Sequence, residues 1–248
     1  MDTAGNLYVS EDKVGQVVQI IVPDLEAPPP PGNLVADPPS WTATNAFALT
    51  WENPLDPSGI SGAYLKIGDS PNLITEGTFY AGEEIAQVAG IPAPGPGAFP
   101  AYVWLEDGVG NADPRAAVST TLHYDAQPPM SMASVLTTTR VAPISVTWTV
   151  TDSHSGVDSV ALWVKAGEEG SWVDSGLRHR AGGEFFVEGA SDGLFLYPPG
   201  GEGIYYFATL AVDRTGNAEP VPTGAGDAHT YCKTWQRAYL PLVWKAAP

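Results

Sequence analysis

One pair of motifs is written twice in this chain, and that repetition limits the folds open to it more than any other feature. The second copy opens with ISVTWTVTDSHSG, an alternating run through Trp148 that stops at Asp152-x-x-Ser155-Gly156, and closes with GIYYFATLAVDRTGN, ending at Asp213-x-x-Gly216-Asn217. The first copy has FALTWENPLDPSG around Trp51, with Asp56-x-Ser58-Gly59, and AYVWLEDGVGN ending at Asp107-x-x-Gly110-Asn111. Trp51 and Trp148 are 97 positions apart, Asp107 and Asp213 are 106 apart, and Asp24 and Asp125, each just before a proline run, are 101 apart. Each Trp stands 8 residues before its Gly, at Gly59 and Gly156. Fixed spacing within motifs and drifting spacing between them is the pattern of a duplicated domain whose loops changed length. Two units of this size match small β-sandwiches.

The strands are read from period-two alternation. Ile144, Val146, Trp148 and Val150 alternate with Ser145, Thr147, Thr149 and Thr151, giving a half-buried strand. Val160, Leu162 and Val164 form the next, with short strands at 171–173 and 184–187. The run through Tyr205, Phe207, Thr209 and Ala211 is apolar on both faces, so alternation does not say which face points inward. In the first unit Phe47, Leu49 and Trp51 make one strand, Tyr64 to Ile67 another, and Phe99, Ala101, Val103 and Leu105 a third; 90–100, GIPAPGPGAFP, reads as a loop. No window keeps apolar residues at helical spacing, because Gly (27) and Pro (24) interrupt nearly all of them. Trp51 and Trp148 are expected as plugs between two sheets.

Charge narrows the partners. With 28 acidic against 11 basic side chains, the formal net charge is −17, which opposes nucleic acid and anionic membrane surfaces. A 44% apolar composition excludes disorder, and one cysteine, Cys232, excludes an intrachain disulfide. No stretch reaches the roughly 18 apolar residues of a membrane span, and no basic head followed by an apolar segment marks a signal peptide.

The expected organisation is a β-hairpin over 1–22, a Pro-rich linker over 23–32 acting as a semi-rigid spacer, sandwiches over 33–124 and 125–231, and an apolar tail over 232–248. In the hairpin, Leu7 to Val9 and Val17 to Val22 are the two strands. This stretch, with Asp2, Gly5, Asn6, Tyr8 and Val9, resembles the end of an NHL-type β-propeller repeat, which implies that Met1 is an internal start of a longer chain. The tail, with Tyr239-Leu240-Pro241-Leu242-Val243, resembles short apolar ends of secreted bacterial multidomain proteins and is able to dock as a strand or a patch.

The paired motifs resemble bacterial Ig-like, fibronectin type III-like repeats of cell-surface and secreted proteins. The matching residues are Asp152, Ser155, Gly156, Gly203, Tyr205, Phe207, Ala211, Asp213, Gly216, Asn217 and Glu219, and in the first unit Asp56, Ser58, Gly59, Asp107, Gly110 and Asn111. The first unit departs from the pattern in having Asp113 for Glu219 and no Tyr-x-Phe pair. The resemblance implies an all-β chain of two tandem sandwiches outside the cell, non-catalytic, serving as a spacer or adhesion module between other domains of a longer parent protein.

Two readings stand for the turn loops. In the first, Asp caps backbone N–H groups, Gly takes positive φ and Asn bonds locally. In the second, the loops meet at one end of each sandwich and hold a weak calcium ion with Asp152, Asp213 and Asn217, and with Asp56, Asp107 and Asn111. No other cofactor is expected. The four histidines, His123, His154, His179 and His229, match no catalytic motif and are read as surface residues. A rival to the spacer is an accessory carbohydrate- or protein-binding module of a secreted hydrolase, for which Tyr102, Trp104, Trp163 and Trp172 would form an exposed aromatic row.

Overall fold

The computed structural model describes residues 7–11, 16–20, 23–139, 142–181 and 191–233. The expected strand at 184–187 and the tail from 234 onward lie outside the described residues. The chain divides into two compact units, Met1–Ala126 and Gln127–Pro248. It is all-β; the described residues contain no α-helix, only 3₁₀ turns at Ile74–Glu76 and Pro114–Ala116. None of the described residues forms a helix long and apolar enough to cross a membrane.

In the first unit β1 (Leu7–Glu11) and β2 (Gln16–Ile20) pair antiparallel as a separate hairpin. Seven strands follow: β3 (Gly32–Asp37), β4 (Phe47–Glu52), β5 (Ile60–Ile67), β6 (Thr78–Ala81), β7 (Gln87–Ile91), β8 (Gly97–Asp107) and β9 (Val118–Tyr124). They form a three-stranded sheet, β3-β4-β7, and a four-stranded sheet, β6-β5-β8-β9. Phe47, Leu49 and Trp51 on β4 face Ala101, Val103 and Leu105 on β8, and all six are buried in one core. On β4 the alternation reads out correctly because Ala48, Thr50 and Glu52 on its other face are less buried.

Two expectations need correction here. Much of 90–100 is strand: β7 runs to Ile91 and β8 begins at Gly97, leaving only 92–96 as loop. Pro100 is tolerated because it lies one residue past the β5 pairing, which ends at Ile67 opposite Ala101, so its missing N–H removes no ladder bond there. The Pro-rich segment is also not a free spacer. Pro28 and Pro31 are buried, and the carbonyls of Asp24 and Glu26 accept from Asn111 Nδ2 at 3.2 and 3.4 Å, tying the segment to the first unit.

The second unit has β10 (Met130–Val135), β11 (Thr138–Thr139), β12 (Ile144–Thr151), β13 (Val157–Ala166), β14 (Val173–Arg180), β15 (Asp192–Tyr197), β16 (Gly203–Asp213) and β17 (Ala228–Cys232). The sheets are β10-β12-β15 and β11-β17-β16-β13-β14. Val146 and Trp148 on β12 meet Val160, Leu162 and Val164 on β13 and Phe207 on β16 in a single core. The ambiguous run is thereby settled: Tyr205, Phe207 and Ala211 point inward. Trp148 is 1% exposed and Trp51 is 5% exposed, so both fill core positions. Burying an indole removes roughly 150–250 Å² from water, worth at most about 4–6 kcal/mol. Cys232 belongs to β17 and the core rather than to the tail.

Candidate functional site

The β4–β5 and β8–β9 loops of the first unit lie side by side, joined by the Gly108 N–H donating to Gly59 O at 3.0 Å. The second unit repeats this bond, with the Arg214 N–H donating to Gly156 O at 2.9 Å. The duplicated motifs therefore build one loop clamp, used twice.

Within the clamp most lone pairs of the buried aspartates are committed. Asp107 Oδ1 accepts from the N–H groups of Val109 and Asn111 at 2.9 and 2.8 Å, and Oδ2 accepts from Asn111 Nδ2 at 2.7 Å. Asp213 does the same: Oδ1 takes the N–H groups of Thr215 and Asn217, both at 2.8 Å, and Oδ2 takes Asn217 Nδ2 at 2.7 Å. Both carboxylates are buried. Gly110 and Gly216 have φ of 93° and 92°, which the turn needs and which a side chain resists. Asp152 Oδ1 accepts from His154 and Gly156 N–H, and Asp56 Oδ1 from Ser58 N–H.

This geometry corrects the expected ligand set. Asn111 turns its amide nitrogen toward a carboxylate and two carbonyls, all of which can only accept, so its oxygen faces away from Asp107. Asn217 likewise presents its nitrogen to Asp213. Neither asparagine offers an oxygen to an ion held by its own aspartate.

One residue missing from the expected set joins the first unit's cluster. Asp24, from the proline-rich segment, brings a carboxylate oxygen within 4.8 Å of oxygens of both Asp56 and Asp107. Its Oδ2 accepts from Ser58 Oγ at 2.8 Å. The recurrence of Asp24 and Asp125 before proline runs is the trace of this residue in the sequence, where it supports the duplication but names no ligand. Desolvation raises the Asp56 carboxyl above its ordinary range, and the charges of Asp24, Asp107 and Glu84 raise it further against the opposing Ser58 N–H bond. Glu84 arrives through its own bond to the Ile60 N–H at 3.2 Å.

The expected aromatic row does not form. Trp104 is fully buried, stacked on Tyr64 with ring centroids 5.2 Å apart and an interplanar angle of 7°. Tyr102 is half-buried on the same strand. In the second unit Trp163 is half-buried, while Trp172 packs against Gly226, and Lys165 Nζ lies 5.7 Å from its ring. His179 is also not a plain surface residue: it lies 4.5 Å from Phe195 and 5.6 Å from Trp148 between ring centroids, and burial lowers its pKa.

Three strands facing four or five, with the loop clamp at one end, define an immunoglobulin-like sandwich of fibronectin type III-like layout. Among solved structures, the FN1–FN3 domains of chicken CNTN1 are similar to this chain at 15% identity and a TM-score of 0.36, over 84% of this chain and 68% of that one. No family model matches the sequence, and no curated protein matches it. No comparison supports the propeller-repeat likeness of residues 1–22.

Proposed function

We propose that this chain is a non-catalytic structural module of a secreted or cell-surface protein, spacing or presenting other domains of a longer parent chain. The observation that carries the reading is the commitment of the two loop clamps to folding. The residues that look functional in the sequence cap their own turns, and Trp104, one of the three tryptophans of the expected row, is packed away. The test is retention of the purified chain on a panel of insoluble polysaccharides. The expected result is no retention on any polymer. Retention that is lost on Trp163→Ala, with the fold intact, would overturn the spacer in favour of an accessory binding module.

We further propose that the first unit takes calcium weakly at Asp24, Asp56 and Asp107. Three carboxylates fall short of the six to eight oxygens calcium prefers, so water must complete the shell and the affinity must be low. With a dissociation constant of about 0.1 mM and about 1 mM calcium, the gain is about 1.4 kcal/mol. Asp56 gives the sharper readout. A carboxyl whose folded pKa is raised favours folding below its ordinary value of 3.8, and that contribution is lost as pH rises through the raised one. At neutral pH without calcium, Asp56→Asn is therefore expected to leave Tm unchanged or raise it, since the amide oxygen still accepts from Ser58 N–H. In calcium the wild-type Tm rises and the variant's does not. Equal Tm in calcium and in chelator for the wild type removes the site and leaves the spacer reading standing.

A further inference from the structure

The three-stranded sheet of the second unit, β10-β12-β15, turns a regular and nearly uncharged face outward. Its middle strand presents Ser145, Thr147, Thr149 and Thr151, all exposed. On one side β10 sets Met130 and Met132, 75% and 62% exposed, beside Thr151 and Thr149. On the other side β15 sets Leu194 and Leu196, 46% and 53% exposed, beside Thr147 and Ser145. Two ridges of long apolar side chains thus flank a furrow of short hydroxyl side chains. Asp192, beside Thr149, is the only charged residue in these three strands.

The duplicated fold shows that the sandwich does not require such a face. The corresponding sheet of the first unit, β3-β4-β7, exposes Asp37 and Glu52 and one large apolar side chain, Val35. Large apolar side chains gathered on one exposed face mark a contact surface. Charge and shape then select its occupant. With a net charge of −17, two copies of this chain repel one another, and the repulsion is least where a face carries almost no charge. The face is also self-complementary. Two copies stacked about a two-fold axis parallel to the strands, offset by one strand, lay a ridge of each in the furrow of the other.

We propose that this face pairs with the same face of a second copy, with Met130 and Met132 of each chain seated in the other's Ser/Thr furrow. The leucine ridge is the poorer choice, because its offset would carry both Asp192 carboxylates into the contact. An unbranched thioether side chain adapts readily to such a furrow. The eight residues of β12 span about 26 Å and the three strands about 14 Å, a footprint of at most about 400 Å² per copy. That is about half the roughly 800 Å² per partner of a stable interface, so the dimer is weak. At the millimolar effective concentrations of chains held side by side it is sufficient. That last consequence rests on the spacer reading; the pairing itself does not.

Sedimentation equilibrium of the full chain between about 1 μM and about 1 mM tests this. The mass is expected to climb from that of one chain toward that of two. High salt is expected to bring the climb to lower concentration, because screening removes the like-charge repulsion and leaves the apolar contact. Met132→Glu should raise the dissociation constant at least about tenfold, since the two-fold axis places the change in the contact twice. Thr151→Glu should do the same from the furrow; both positions are exposed, so neither change disturbs the core. Val35→Glu, on the corresponding sheet of the first unit, should leave the constant as it is. A chain that stays single throughout overturns the proposal, as does association that survives both glutamates or that weakens in salt. A single chain that binds uncharged phosphatidylcholine vesicles, and no longer does so with Met132→Glu, also overturns it and gives the face to a lipid surface.

Discussion

Trp104→Ala is expected to destabilise the first unit by about 3–5 kcal/mol, the range for emptying a buried aromatic site. For a unit of this size that is a fall in Tm of roughly 15 °C or more. The residue is on the outer face of its sheet, where a tryptophan would ordinarily be a binding candidate. It is nonetheless 0% exposed, because the unit builds a second small core over that face. Tyr64 stacks on it, Phe79 leans on Tyr64 at 4.8 Å, and Gly77 passes so close that an added Cβ would stand 2.3 Å from the indole ring. The covering strap is held by Lys66 Nζ donating to Glu76 Oε2 at 2.7 Å and by the Asn72 N–H donating to the same oxygen. The Tyr64 hydroxyl donates to Glu106 at 2.7 Å, and burial with that carboxylate pushes its pKa up to about 12. Chemical denaturation of the purified variant measures the loss. A change below about 1 kcal/mol would mean that the ring is dispensable to folding and return Trp104 to the list of surface ligands.

The contrast between Trp148 and Trp104 shows what the sequence could express. Trp148 stands in a run with Ser145, Thr147, Thr149 and Thr151 on the alternate positions, so its burial follows from period two alone. Trp104 shares β8 with Val103 and Leu105, and both faces of that strand are apolar. Only the strap at 72–77, about thirty residues upstream, decides that its face is covered, and a strap leaves no periodicity. The same limit hid Asp24, whose place in the carboxylate cluster depends on how the proline-rich segment lies on its unit. It also hid His179, read as a surface residue from the absence of a motif, although it packs on Trp148 and Phe195. Turn chemistry was the best recorded, since Asp107, Gly110 and Asn111 act within five residues of one another and Asp213, Gly216 and Asn217 do the same.

Glu219 shows how a resemblance can mark a residue without giving its role, and together with Asp227, which the resemblance does not include, it carries the second large effect. In the first unit β9 pairs with β8 as far as Val103 opposite Val118. In the second, β17 begins later and pairs with β16 only as far as Phe207 opposite Ala228. The N–H groups of Thr209 and Ala211 are thus left without a strand neighbour on that side. Two carboxylates take its place. Asp227 Oδ2 accepts from Thr209 N–H at 3.0 Å and from Ala133 N–H of β10 at 2.9 Å. Glu219 accepts from Ala211 N–H and from Ser131 N–H of β10, both at 2.6 Å, and from the Ser131 hydroxyl. The pair closes the seam between the two sheets by side chain where a longer last strand would have run. Asp113, which replaces Glu219 in the first unit, caps the Pro114–Ala116 turn instead, through Arg115 N–H at 2.9 Å. A buried N–H stripped of its acceptor costs about 1–3 kcal/mol, and each carboxylate serves one such group on each side of the seam. Glu219→Ala and Asp227→Ala are each expected to destabilise the second unit by about 2–4 kcal/mol, against a total of about 5–15 for such a unit. Glu219→Gln and Asp227→Asn, which keep an acceptor oxygen, should lose less than half as much. Amide hydrogen exchange at Ser131, Ala133, Thr209 and Ala211 separates a seam from a remote effect, because those four amides must lose protection before the rest of β10 and β16. Alanine variants that unfold no earlier than wild type, with those amides still protected, would show that water satisfies the seam and that the carboxylates add nothing to it.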